Sequence, residues 1–198
     1  MANDFPSQAR VVIIGGGVIG CSVAYHLAKR GWKDVVLLER KELTSGTTWH
    51  AAGLIGQLRA TQGLTQLAVY TAELYEGLEK ETGQAIGYKR NGSLSVACDP
   101  ERFEEMKRGA SMASNCGLEV QVLTPDQAKE KYPLLRVDDV VGAVFLPRDG
   151  ALNPIDVTRA LSIGARNNGV RIFEHTKVTG VTVEKGRAVG VRTEKGDI

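Results

Sequence analysis

The chain has 198 residues, 42% hydrophobic and 24% charged, with a formal net charge of +2. This is ordinary globular composition and argues against disorder, and the small charge, spread among acids, gives no footprint for nucleic acid or an anionic membrane surface. No apolar run approaches the ~18 residues of a membrane span, and Cys21, Cys98 and Cys116 match neither a CxxC nor a metal-ligand spacing.

The start, MANDFPSQAR, has neither a secretory apolar region nor an Arg-rich amphipathic stretch, so a cytoplasmic location is expected. Arg10–Ile14 then reads as a short buried parallel strand. Val18–Arg30 reads as a helix stopped at Gly31, with Cys21 as a packing residue inside it, and Val35–Glu39 as a second buried strand. Residues 40–63 show no period and are expected to form a functional loop. A helix follows with Leu64, Leu67, Ala68, Thr71, Leu74, Tyr75 and Leu78 on one face, ending at Gly83.

The texture changes at Gly92–Ala97, an alternating strand. It is followed by a helix over 101–115 with Phe103, Met106, Ala110 and Ala113 inward, and by a strand at Leu118–Leu123. Thr124-Pro125-Asp126-Gln127 is a helix start with a capping box, Val140–Leu146 a strand, and Asn153-Pro154 the start of a helix reaching about Asn167. Val170–Glu174 is a strand, and Val178–Glu184 with Ala188–Thr193 a hairpin about Lys185-Gly186. Lys195–Ile198 reads as the start of another strand, so the domain is expected to continue beyond it.

The strongest motif is Gly15-Gly16-Gly17-Val18-Ile19-Gly20 between the first strand and helix, with Glu39 closing the next strand 19 residues after Gly20. In this strand–turn–helix setting G-x-G-x-x-G is a dinucleotide-binding fingerprint. Gly15 permits the turn, Gly17 lets backbone approach a pyrophosphate, and Gly20 allows close helix–strand packing. Val18 and Ile19 open the helix whose amides and dipole face the phosphates. Glu39 accepts from ribose hydroxyls and repels a 2′-phosphate, which disfavours NADP. The fingerprint alone does not separate FAD from NAD. The Ser-, Thr-, Gly- and Ala-rich loop that replaces a third consecutive βα unit favours FAD. Arg40 and Lys41 suit either adenosine contacts or a solvated strand end, and Thr47 and Thr48 either pyrophosphate donors or loop residues. No G-x-S-x-G, H-E-x-x-H, P-loop or Cys–His pattern offers another catalytic class.

VVIIGGGVIG with VVLLER, and SGTTWHAAGL followed by Gln57-Leu58-Arg59, resemble the dimethylglycine dehydrogenase and sarcosine dehydrogenase branch of the glycine-oxidase/D-amino-acid-oxidase (DAO) flavoproteins. Glu81-Thr82-Gly83, Arg90-Asn91-Gly92-Ser93-Leu94, Tyr132-Pro133-Leu134-Leu135 and Asp149-Gly150 with Asn153-Pro154 extend the resemblance over nearly the whole chain. It implies an α/β, Rossmann-like FAD-binding domain from residues 1–85 and 151–198, with 86–150 as the start of an inserted, mixed α+β substrate domain. It also implies FAD bound covalently through His50, with Gly53 and Leu54 of the same loop contacting the cofactor and the backbone of Val178 beside the adenine. His26 and His175 lack such context and read as structural. Trp49 reads as flavin-packing or simply buried, and Arg59 as a loop Arg or a group facing flavin or substrate.

The implied reaction is oxidation of an N-methyl amine, with hydride transfer from the methyl carbon to flavin N5 leaving an iminium for water or tetrahydrofolate. Gln57-Leu58-Arg59 leans towards sarcosine-type sequences, and Ala51-Ala52 with Glu81–Gly83 towards dimethylglycine-type ones. Residues holding the substrate carboxylate and any tetrahydrofolate region are expected beyond Ile198, so the 198 residues alone are expected to turn over poorly. The partner expected is a small N-methyl amine, with no nucleic acid and no membrane. The rivals are an amino-acid or glycine oxidase with non-covalent FAD and a non-catalytic dinucleotide-binding module.

Overall fold

In a computed structural model describing residues 5–198, the apolar run Val11–Ile14 forms strand β1, and helix α1 spans Val18–Lys29. Residues 1–4, part of the stretch read for targeting signals, lie outside the described residues. Strand β2 (Val35–Leu38) runs parallel to β1, with Val11 opposite Val35 and Ile14 opposite Leu38. All four β2 side chains are buried, each contributing roughly 2 kcal/mol of apolar burial. Cys21, Ala24, Tyr25 and Ala28 form the buried stripe of α1, and the chain leaves the helix at Gly31 with φ +81°.

The loop expected over 40–63 carries a 3-10 turn at Thr48–His50 and a two-residue strand, β3 (Leu54–Ile55). Helix α2 spans Gln62–Thr82 and stops before Gly83, where φ is +73°. Its inner face departs from the expected leucine stripe. Thr65 and Ala72 are buried and Val69 packs inward, whereas Leu64 and Leu67 are 53% and 60% exposed. The small Thr65 is held by its hydroxyl, which accepts from Arg59 N–H (3.1 Å) and lies 3.3 Å from Arg59 O, while further along the helix the expected Leu78 is fully buried.

Strand β4 (Ser93–Ala97) precedes α3 (Pro100–Asn115), which Asp99 caps by accepting from Arg102 N–H. Then come β5 (Gln121–Leu123) and α4 (Pro125–Lys131), whose capping box between Thr124 and Gln127 forms as expected. Strand β6 (Gly142–Leu146) lies between β4 and β5, antiparallel to both. Met106, Ala110 and Ala113 of α3 pack with Ala97, Leu118, Val144 and Leu146. Strand β7 (Gly150–Ala151) pairs antiparallel with β3, and the buried Asp149 beside it accepts from Gln57 N–H (2.9 Å) and the Ser93 hydroxyl (2.6 Å).

Helix α5 (Pro154–Asn167) is capped by Asn153, whose side chain accepts from the Ile155 and Asp156 amides. It leads to β8 (Arg171–Phe173), which pairs parallel with β2 and gives the sheet order β1-β2-β8. Strands β9 (Val178–Glu184) and β10 (Arg187–Thr193) form the expected hairpin. Lys185 and Gly186, both at positive φ, turn it in the sense that matches strand twist. Strand β11 (Gly196–Asp197) adds antiparallel to β10.

The chain divides into two compact units. The first contains the described residues up to Ala52, Leu78–Ile86 and Asn153–Ile198; the second contains Gly53–Gly77 and Gly87–Leu152. Residues 53–77, expected with the first part of the nucleotide domain, group with the second unit because β3 pairs with β7 and Val69 packs on the α3 cluster. In the first unit α1 packs on α5 at Gly164, where a Cβ would lie 2.7 Å from the Tyr25 ring. That ring is buried and its hydroxyl donates to Glu81 at 2.7 Å, so it has little room to give. Gly164→Ala gains about 1 kcal/mol of helix propensity but overpacks by roughly 1–3 kcal/mol. We expect net destabilisation of about 1 kcal/mol, measured by urea unfolding; a more stable variant would contradict the packing described.

Candidate functional site

The turn from β1 into α1 is built from glycine for steric reasons that differ at each position. Gly15 sits at φ +109° and donates its N–H to Leu38 O at 2.8 Å. A Cβ on Gly20 would lie 1.9 Å from Gly15 O, so no side chain fits there. Gly17 is the N-cap of α1 and has no side chain to offer the first-turn amides, and the first turn holds no acid. No side chain within the first turn of α1 itself therefore offsets the positive end of the helix dipole.

Gly16, an unspecified position of the fingerprint, is equally constrained. A Cβ there would meet Leu43 Cδ2 at 2.5 Å and Glu39 Cβ at 2.9 Å. Its N–H donates to Glu39 Oε2 at 2.7 Å, while Lys41 N–H donates to Glu39 Oε1 at 2.9 Å. Two amides thus aim the carboxylate, and each oxygen keeps a lone pair. Thr48 is buried, and its hydroxyl oxygen accepts from Val18 N–H at 3.0 Å, leaving the hydroxyl proton free to donate. A cleft of about 590 Å³ is lined by Gly15, Gly17, Val18, Ile19, Gly20, Glu39, Arg40, Lys41, Thr47, Thr48 and Ala51, with Gly16 behind them.

The remaining candidates lie elsewhere. His50 is exposed at the end of the 3-10 turn, its ring centroid 3.8 Å from that of Trp49, between the cleft-lining Thr48 and Ala51. Trp49 is 54% exposed, which removes the buried reading. Gly53 and Leu54 belong to the second unit, where Gly53 O accepts from Leu152 N–H and Leu54 is 75% exposed. Val178 opens β9 and packs with Val36, Leu38, Phe173 and Val191 rather than lining the cleft. Arg59 is exposed, and His26 Nδ1 lies 2.7 Å from Ser22 O within α1. His175, at φ +50°, donates its N–H to Lys41 O. Among the described residues no cluster of His, Cys, Asp or Glu could hold a metal. Sequence reasoning missed Gly16, Leu43 and Thr44, which shape the turn through contacts that carry no local signature.

A family model described as "FAD dependent oxidoreductase" (DAO) matches residues 10–198. The mitochondrial pyruvate dehydrogenase phosphatase regulatory subunit of Mus musculus is 43% identical over 193 residues, covering 98% of this chain and 22% of that protein. Mitochondrial sarcosine dehydrogenase of Homo sapiens is 42% identical over 203 residues, covering 100% of this chain and 22% of that protein. The crystal structure of L-proline dehydrogenase from P. horikoshii matches with a TM-score of 0.91 at 31% identity, over 98% of this chain and 51% of that one. The chain thus spans about 22% of the length of these curated relatives.

Two expectations follow from the geometry. Thr48→Val strands the Val18 amide and should cost about 1–2 kcal/mol with faster hydrogen exchange at Val18, while Thr48→Ser should restore both; equal exchange in all three proteins would refute the bond's role. Cys21 is fully buried with Sγ 3.7 Å from Gly16 O, and burial pushes its thiol from the ordinary 9.0 up to about 12. A raised thiol pKa contributes stability that is intact below pH 9 and lost as pH rises towards 12. A thiol reagent at pH 8 should therefore label the exposed Cys98 at once and Cys21 only on unfolding, read by mass spectrometry.

Proposed function

The chain belongs to the FAD dependent oxidoreductase family, and from that premise we propose that it supplies the FAD site of an enzyme oxidising an N-methylated glycine, sarcosine or dimethylglycine. One observation carries the reading. The loop bearing His50 is fastened to the first turn of α1 by the Val18–Thr48 hydrogen bond, so a nucleophilic imidazole and a dinucleotide-type turn occur in one construction.

The residues present fit the cofactor. The first-turn amides and dipole of α1 stabilise a pyrophosphate, aided by the hydroxyl proton that Thr48 has free. Glu39, aimed by Gly16 and Lys41, accepts from ribose hydroxyls and repels a 2′-phosphate. Arg40 and Lys41 border the same cleft with positive charge. The exposed His50 ring is available as the covalent tether. When bound, the flavin supplies the oxidant for the N-methyl carbon. The chain's part is to hold, orient and tether.

The 43% identity to a phosphatase regulatory subunit favours a second reading, a dinucleotide-binding module without catalysis of its own. Bleaching of the flavin by sarcosine or dimethylglycine under anaerobic conditions separates the two, since only the enzyme reduces it.

The tether is tested on acid-precipitated, redissolved full-length protein carrying this chain. We expect yellow colour retained in the wild type and lost in His50→Ala. Flavin released from both would discard the tether and move the assignment to an oxidase with non-covalent FAD.

A further inference from the structure

Leu43 and Thr44 belong to no motif, yet they press on the glycine turn. The Leu43 side chain occupies the space a Cβ on Gly16 would need, and Thr44 N–H donates to Gly16 O at 3.0 Å. Thr44 holds φ +72°, a conformation a β-branched residue takes only when its surroundings impose it. The constraint comes from the end of β8. Glu174 Oε1 accepts from Leu43 N–H at 2.7 Å, across 131 positions of sequence. The next peptides continue the attachment, with His175 N–H donating to Lys41 O (2.9 Å) and Thr176 N–H to Glu39 O (2.8 Å). Glu174 Oε2 also lies 3.8 Å from Arg166 Nη2, but Arg166 is exposed and the separation long, so the pair contributes little. The charge-assisted bond to the amide is the stronger contact.

We infer that Glu174 is a positioning residue for the dinucleotide site, holding the Leu43–Thr44 turn against Gly16 through its bond to the Leu43 amide. Gly16 in turn aims Glu39, and the segment continuing from Thr44 returns Thr48 to Val18. Glu174 touches no cofactor itself; it sets where the groups that do will stand. Its loss should weaken nucleotide uptake rather than any later step. This inference rests on the proposed dinucleotide reading of the cleft.

The test is calorimetric titration with ADP, the half of the cofactor assigned to the glycine turn, on flavin-free chain carrying His50→Ala, so that no tethered flavin fills the site, and on its Glu174→Ala and Glu174→Gln variants. Circular dichroism confirms folding at the titration temperature. We expect the His50→Ala parent to bind, E174A to bind roughly tenfold more weakly, and E174Q, whose amide oxygen still accepts from Leu43, to stay within about threefold. Equal affinity in E174A and the parent would overturn the positioning role, as would a loss in E174Q as large as in E174A. No ADP binding by the parent would overturn the dinucleotide reading as well. Should E174A fail to fold, amide exchange in the wild type decides. The Leu43 amide exchanging roughly tenfold slower than that of Gly46 supports the role, and exchange at the Gly46 rate overturns it.

Discussion

The peptide of Gly16 is gripped on both sides: its N–H by the Glu39 carboxylate and its carbonyl by the Thr44 amide, with the Cys21 thiol 3.7 Å from the same oxygen. The end of β2 and the loop after it are thereby located against one rigid unit, which is followed directly by the start of α1. Each such bond contributes only about 1 kcal/mol net, while fixing a loop residue costs about 1–2 kcal/mol of backbone entropy. The loop is therefore held by agreement among contacts. Buried Thr44 and Thr48, the wedged Leu43 and the reach from Glu174 must all be satisfied in the same conformation. Glycine at 16 is required for this grip, since any Cβ would enter the space Leu43 fills.

The sheet explains why the grip occurs where it does. Three parallel strands end together, and the cleft lies beyond the carboxyl ends of β1 and β2, the usual place for ligands in open α/β sheets. The third strand is not the next one in the chain. β8 pairs with β2 only after the antiparallel β4-β6-β5 sheet and its helices have been threaded, which separates this arrangement from a consecutively wound nucleotide domain. The functional loop gains from that detour, because β8 delivers Glu174, His175 and Thr176 to a segment that β2 alone would leave unsupported.

Much of this was legible in the sequence where the signal is local. The helix starts at Thr124 and Asn153, the positive-φ turn at Lys185-Gly186, the fingerprint with Glu39, and the buried Cys21 are all set by residues within a few positions of one another, or by a spacing fixed by one βαβ unit. What escaped was non-local or shape-dependent. Nothing near Leu43 indicates a carboxylate from β8. Gly16 occupies a position where the fingerprint permits any residue, and its need for glycine arises from a side chain 27 positions on. The face of α2 departs from the pattern only in its first turns, where leucines outweigh threonine in any apolar count but Thr65 is seated by paired hydrogen bonds to Arg59; Leu78 is buried as the pattern expects. The grouping of residues 53–77 with the second unit depends on the short β3–β7 pairing, too brief to leave a period.

The order of strands also bears on how the polypeptide is made. β2 emerges from the ribosome with β1 available as a neighbour, but its other edge waits for β8, about 130 residues later. At the usual pace of synthesis that is on the order of ten seconds during which a fully apolar strand presents unpaired amides and carbonyls. The intervening antiparallel unit has its own core and can form during the delay. Arrival of β8 thus covers the vulnerable edge and brings the anchor of the cofactor loop in the same event, coupling completion of the sheet to maturation of the site.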